Sequence, residues 1–239
     1  MADHTMMNAP LERSADVKER PILFNAAMVR AVLDGTKILT RREVRDTGLY
    51  AIDAGIHGDA VAARGLANLA TQCPHGQPGD RLWVREAWRS AADLDKYSGS
   101  QIADLCLDAG YSVPWAPIQY EADGVRRDWQ HTGITHEDGP PQPGRYRHAR
   151  FMPRWASRLI LEVTGVRVER LQDISEEDAH REGVDNKLCA EAIGKSPLDM
   201  GMATQCGFAY LWDLINGDGA WDANPWVWVI EFRRTDGGT

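Results

Sequence analysis

From Arg158 to Leu171 the chain reads RLILEVTGVRVERL, a run of β-branched and aliphatic residues interleaved with charged ones. No other stretch has as strong an extended-chain preference, so the fold must accommodate it as a long strand or a bent hairpin. Candidate partners lie elsewhere in the chain. In NPWVWVIEFRR, Trp226, Trp228 and Ile230 alternate with Val227 and Val229. In RLWVREAW, after a turn at Gly79-Asp80, Leu82 and Val84 alternate with Trp83 and Arg85. Both alternations have the period of a strand.

Helices separate these segments. Residues Asn25 to Asp34 place Met28, Val32 and Leu33 near helical spacing, and Gly35 supplies a stop. After the long strand, DISEEDAHREGV starts with Ser175 and Asp178 in a capping-box-like arrangement, fills its first turn with acids and ends at Gly183. Glu182 is its last side chain, and a helix C-terminus disfavours negative charge. In FAYLWDLIN, Phe208, Leu211, Trp212 and Ile215 share one face and are expected in the core. Between Arg89 and Arg150 the pattern weakens: IADLCLDAG reads as a helical piece, IQYEAD as a strand and GPPQPG as an irregular loop. These elements predict an α+β fold, a small mixed or antiparallel barrel flanked by short helices, in one domain over residues 20–239 with a large insertion at about 89–150. Residues 1–19 are expected to be a disordered leader.

Composition narrows the function classes. The chain has 239 residues and a net charge of −8, which argues against broad adhesion to nucleic acid through a positive field. No apolar run approaches the ~20 residues of a membrane span, and the polar N-terminal segment lacks the order of a secretory signal, so a cytoplasmic location is expected. Cys73, Cys106, Cys189 and Cys206 form no C-x-x-C pair, which favours reduced thiols; Cys73 and His75 with Cys106 are a weak metal alternative to small buried side chains. Locally the charge reverses. RYRHARFMPRWASRLIL, from Arg145, carries five arginines and no acid. With Lys37, Arg41, Arg42 and Arg45 it can form a basic cleft, the alternative being solvated arginines paired with carboxylates.

The motifs of P-loop, Rossmann, zinc-protease and α/β-hydrolase chemistry are absent. What remains is LDGTKILTRRE, with Lys37 and Thr40 just beyond a helix end, together with Glu182. A threonine hydroxyl needs a neighbouring base, and a lysine can serve if burial or another cation lowers its pKa. On a regular strand Lys37 and Thr40 would face opposite sides, so the turn after Gly35 must bend both inward. There are nine tryptophans, several beside arginines, an arrangement that suits stacking of exposed bases as well as core packing.

Taken together, GTKILTRRE, GDRLWVREAW, LILEVTGVRVERLQDISEEDAHREGV and WVWVIEF resemble, in order, the ASCH domain, a relative of the PUA RNA-binding barrel. They look closest to its larger bacteriophage and prophage versions. The family includes RNA-binding modules, ribonucleases, and amidohydrolases that remove the acetyl group from N4-acetylcytidine. In the amidohydrolases a G-x-K-x-x-T motif supplies a lysine and a threonine nucleophile, and a glutamate sits near the end of the helix after the long strand. By position these are Lys37, Thr40 and Glu182. This chain is larger than those enzymes, and the arginine pair after Thr40 differs from their basic signal.

The resemblance implies hydrolysis of an amide on a modified cytidine nucleoside or nucleic-acid base, in a bacterial host cytoplasm and with no cofactor or metal. Thr40 would attack, Lys37 would take its proton, and Glu182 would hold the lysine or protonate the leaving amine. Arg41, Arg42, Arg85, Glu86 and Arg154 would contact phosphate or base edges, with Trp83, Trp155 and Trp226 near the ligand. The partner would be a nucleoside or single-stranded nucleic acid, RNA foremost. A metal-independent ribonuclease and a binding module without chemistry are the alternatives.

Overall fold

A computed structural model describes residues 17–44, 59–125, 128–130, 141–184 and 203–235. Most of the expected leader, Arg45 and Cys189 lie outside the described residues. The long apolar segment is one strand, β6 (Ile160–Arg170), not a hairpin. It pairs antiparallel with β7 (Trp226–Arg234) along nearly its whole length. Val163 pairs with Phe232 and Gly165 with Glu231, so Thr164 is an extra residue, a β-bulge. A one-residue slip exchanges the faces of a strand. Leu161 and Val163 before the bulge and Val166 and Val168 after it therefore reach the same core. Arg167 and Glu169 are left on the opposite face.

The full sheet has the order β1-β3-β6-β7-β2, with β1 (Glu19–Leu23), β3 (Arg81–Arg85) and β2 (Leu39–Glu43). Only β1 and β3 run parallel. β1 begins at Glu19, inside the stretch expected to be leader, and carries Pro21 where an edge strand tolerates it. The fold class is mixed α and β, as expected. The sheet, however, is open: among the described residues β1 and β2 are edges that pair with nothing across the seam. Arg42 crosses it instead, with Nη2 donating to the Leu23 carbonyl at 2.7 Å and the guanidinium 5.6 Å from the Phe24 ring. A ladder needs strands about 4.8 Å apart, and the seam is filled by these side chains.

Two cores flank the sheet. On one face Ile22, Leu82, Val84, Leu161, Trp228 and Ile230 pack under α1 (Ala26–Leu33), which buries Val29 and Val32. The Asn25 side chain caps this helix by accepting from the Met28 N–H. The helix α2 (Asp59–Ala70), which the sequence reading did not anticipate, adds Leu69 to the same core. On the other face Leu39, Val227 and Val229 meet α4 (Glu176–Arg181) and α5 (Ala203–Asn216). The Ser175 hydroxyl accepts from the Asp178 N–H at the start of α4, as the capping pattern predicts.

The insertion has its own small centre. β4 (Trp88–Ser90) and β5 (Ile118–Tyr120) form a separate two-stranded sheet, and Trp88, Ile118, Tyr120, Met152 and Ala156 cluster on it. The elaboration thus begins at Trp88. It includes α3 (Gly99–Asp108), whose N-terminus is closed by a capping box between Ser98 and Gln101. No helix among the described residues is long and apolar enough to cross a membrane.

Ile230 is fully buried and sits in register with Thr40 on one side and Val166 on the other. Ile230→Ala is expected to lower unfolding free energy by about 2–5 kcal/mol, as a cavity-forming core truncation does. The measurement is chemical denaturation, read as a lower midpoint at unchanged slope.

Candidate functional site

The turn after α1 decides how Lys37 and Thr40 are presented. Gly35 adopts φ +75°, and the amides of Thr36 and Lys37 both donate to the Ala31 carbonyl. Lys37 then makes an isolated bridge with Glu182 before β2 begins at Leu39. Ile38 is left outward, while Lys37 and Thr40 are 2% and 1% exposed. The inward bend that the sequence demanded is therefore present. Gly183, at φ +84°, seals it from the other side: a Cβ there would lie 2.9 Å from that of Ala31 and 3.2 Å from that of Lys37.

Lys37 Nζ lies 2.5 Å from Glu182 Oε2 and donates also to the Glu182 carbonyl at 3.0 Å. Glu182 ends α4 as its C-cap, and the buried ammonium explains a charge that is out of place by helix-dipole rules. Arg41 approaches the second carboxylate oxygen at 3.4 Å and spans to Asp178 at 3.0 Å and Glu169 at 2.5 Å. Arg167 ties Asp178, Glu169 and Glu231 into the same network. Asp178 and Glu182 stand four apart on α4 and so share a face; that spacing was the available sequence sign of the network, and it went unread.

These neighbours set the proton affinities. Burial pushes the Lys37 ammonium below its ordinary value, the Glu182 carboxylate opposes this, and Arg42 and Arg41 add to the depression. Burial works to raise Asp178, but the bond from Arg41 and the charge of Arg167 outweigh it and hold the carboxyl below the usual range. Among the described residues Thr40 Oγ1, shielded from solvent, has no hydrogen-bond partner, and Lys37 Nζ does not donate to it. An orphaned buried hydroxyl is rare enough to require an explanation.

Above this floor lies a cavity of about 480 Å³, walled by Thr40, Arg42, Glu182, His75, Trp228 and residues of α5. Phe208, Leu211, Trp212 and Ile215 all line it, and Ile215, expected in the core, is 44% exposed. Because β2 is an edge strand, α5 can reach around it, and the far end of its apolar face closes on the cavity instead of on the sheet. His75 was considered only as a metal ligand. Its pKa is pushed down to about 4 by burial and by the charges of Arg42 and Arg20, so it presents a neutral imidazole. Among the described residues no group of three His, Cys, Asp or Glu could hold a metal ion.

The remaining expected contacts do not gather here. Arg41 is the exception: it lines the cavity, although it is 2% exposed and bonds Glu182, Asp178 and Glu169. Glu86 is buried against Arg158, which binds it through two nitrogens and also holds Asp123 of the insertion. Arg154 pairs with Glu19. Trp155 packs edge-on to Trp88 and donates to the Gly99 carbonyl, and Trp226 lies beneath the Arg170 guanidinium. Trp83 and Arg85 line a different cavity. The single basic cleft expected from Lys37 through Arg158 is thus divided, since most of these cations found carboxylates in the folded chain. No protein-family model, curated protein or solved structure matches the chain.

Glu182→Gln leaves the Lys37 and Arg41 charges undercompensated in a buried site, and is expected to cost about 3–5 kcal/mol of stability by denaturant titration. The His75 shift has a definite sign. Its folded value of about 4 lies below the ordinary 6.5, so between these values the unfolded chain binds the proton that the folded chain refuses. Stability is expected to fall as pH drops from 6.5 to 4, and His75→Gln is expected to flatten that part of the profile.

Proposed function

We propose that the chain is an ASCH-type, PUA-related hydrolase that cleaves the amide of an N4-acylated cytidine, as a nucleoside or within a nucleic acid. The observation that carries this reading is the orphaned Thr40 hydroxyl, one strand position from Arg41 and three residues from a lysine whose pKa is depressed by burial. Both side chains are buried on one short segment, and activated-hydroxyl chemistry requires a base near its nucleophile. Polar groups left unpaired in a folded core represent stability forgone, and the cavity beside Thr40 offers a use for it.

In this mechanism rotation about χ1 turns Thr40 Oγ1 into the cavity, where it attacks the acyl carbonyl carbon. Lys37, unprotonated in the reactive form, accepts the hydroxyl proton. As the C–N bond breaks, that proton passes to the N4 amine from Lys37, with Glu182 holding the lysine in place. Water then hydrolyses the threonyl ester, releasing the carboxylic acid and restoring the hydroxyl. Arg42, at the cavity wall and anchored to Leu23, faces the incoming base, and Trp228 and Phe208 supply apolar walls. The chemistry draws on these side chains and calls for no metal.

Incubation of the protein with N4-acetylcytidine in EDTA, read by mass spectrometry, is expected to show loss of one acetyl mass. Lys37→Ala and Thr40→Val are expected to reduce turnover by about 10²–10⁴-fold, the usual worth of a positioned base. Thr40→Val removes a hydroxyl that bonds nothing, so it is expected to fold at least as stably as the parent. Full turnover in both variants would overturn the mechanism. Scission of single-stranded RNA would indicate ribonuclease chemistry instead.

A further inference from the structure

A second cavity, of about 830 Å³, shares no lining residue with the Thr40 cavity and lies where the insertion folds over the outer face of β3. Trp83 and Arg85 project into it from the strand, because Leu82 and Val84 take the core side. Arg145, Tyr146, Arg150 and Phe151 approach from the far end of the insertion. None of its described lining residues is acidic, whereas Glu43 and Glu182 line the first cavity.

Several cations elsewhere in the chain are neutralised by acids. Arg41, Arg154, Arg158 and Arg167 are all paired with carboxylates. Arg85, Arg145 and Arg150 form no salt bridge among the described residues. Asp95, beside the cavity, accepts from the Arg145 backbone N–H through both oxygens, and Arg147 is committed to the Tyr97 and Leu94 carbonyls. Arg85 Nε is buried without a partner, and its guanidinium stands 5.4 Å from the Trp83 ring. Arg150 stands 4.8 Å from the Phe151 ring. A guanidinium held over a ring keeps its N–H edge available to an anion. Phe151 and Tyr146 are 60% and 51% exposed, a considerable aromatic area left open although Arg150 and Arg89 stand over the two rings.

We infer that this cavity binds single-stranded nucleic acid, with phosphates on Arg85, Arg145 and Arg150 and a base stacked on Phe151 or Tyr146. Unpaired guanidiniums alternating with open aromatic faces are the pairing that tracks a flexible, charged backbone and its exposed bases. A duplex conceals its base faces and offers phosphates alone, so it suits the rings poorly. The volume falls within the ~300–1,000 Å³ of ligand sites, enough for one nucleotide and its flanking phosphates. The overall charge of −8 restricts binding to this patch, since the rest of the surface repels a polyanion.

The test is fluorescence anisotropy of a labelled oligouridylate against the full chain, with a duplex of equal length and heparin as comparators, between about 50 and 200 mM salt. This readout needs no turnover, so its result stands apart from that of the amide-hydrolysis assay. Three phosphate contacts predict a log–log salt slope of about −2, and Arg150→Ala is expected to make it shallower by about 0.7. Phe151→Ala is expected to weaken binding about 5- to 100-fold with the slope unchanged, because it removes stacking and no charge. Both side chains are exposed, and thermal melts confirm that the variants fold. Absence of binding at low salt, full affinity in the Arg150→Ala/Phe151→Ala double variant, or binding of duplex or heparin by the parent as tight as that of the oligouridylate would overturn the proposal.

Discussion

The antiparallel ladder between β6 and β7 is the constraint on which the rest of the architecture depends. β7 has apolar residues on both faces, Val227 and Val229 toward one core and Trp228, Ile230 and Phe232 toward the other. Such a strand is stable only if both sides are covered. β6 solves a different problem, since it is apolar on one face and charged on the other, and the bulge at Thr164 keeps its aliphatic residues on the core side along its whole length. β6 then runs directly into α4, which carries Glu182 back to the turn after α1. Two residues 145 positions apart in sequence thereby meet as a buried ion pair.

That pair and its neighbours are energetically demanding. Removing an ammonium and a carboxylate from water costs several kcal/mol per ion, and their attraction recovers it only with good geometry and satisfied hydrogen bonds. The network supplies much of this: Lys37 donates to Glu182 twice, and Arg41 distributes its guanidinium over three carboxylates, with its Nε alone left without a partner among the described residues. A set of apolar residues of similar volume would serve stability at least as well. The same enclosure depresses the Lys37 pKa and leaves Thr40 Oγ1 without a partner, two properties that contribute nothing to folding. They make chemical sense when considered with the adjoining cavity.

Charge is partitioned in the same way. An acidic chain holds many arginines, and several are neutralised where they stand: Arg158 between Glu86 and Asp123, Arg167 among three acids, Arg154 on Glu19. Three without a salt bridge among the described residues, Arg85, Arg145 and Arg150, stand together at the junction of the insertion with β3, beside exposed rings. The insertion has its own apolar cluster around Trp88, so it can hold those side chains without support from the main core. The two cavities therefore differ in character, one of mixed charge around Thr40 and one whose charged lining residues are all basic and stand beside aromatic rings.

Local rules were legible in the sequence. The β-branched run predicted β6, alternation predicted β3 and β7, Gly35 and the Ser175–Asp178 spacing marked helix boundaries, and Glu182 stood out as a negative charge at a helix C-terminus. Each depends on a few neighbouring residues, whose φ/ψ preferences and periodicity act regardless of context. Context decided the rest. β1 is short and carries Pro21, so it has little signal of its own and becomes a strand only by pairing with β3. The sheet remains open because Arg42 and Phe24 fill its seam, and Ile215 lines a cavity because an edge strand lets α5 pass around it. Which arginines remain available depends on the carboxylates the fold brings beside them, such as Glu19 for Arg154 at a separation of 135 residues. Residue types and their spacing determined the elements and named Lys37, Thr40 and Glu182. Only long-range packing decided which charges were neutralised, because Coulomb attraction acts through space and is indifferent to the order of the chain.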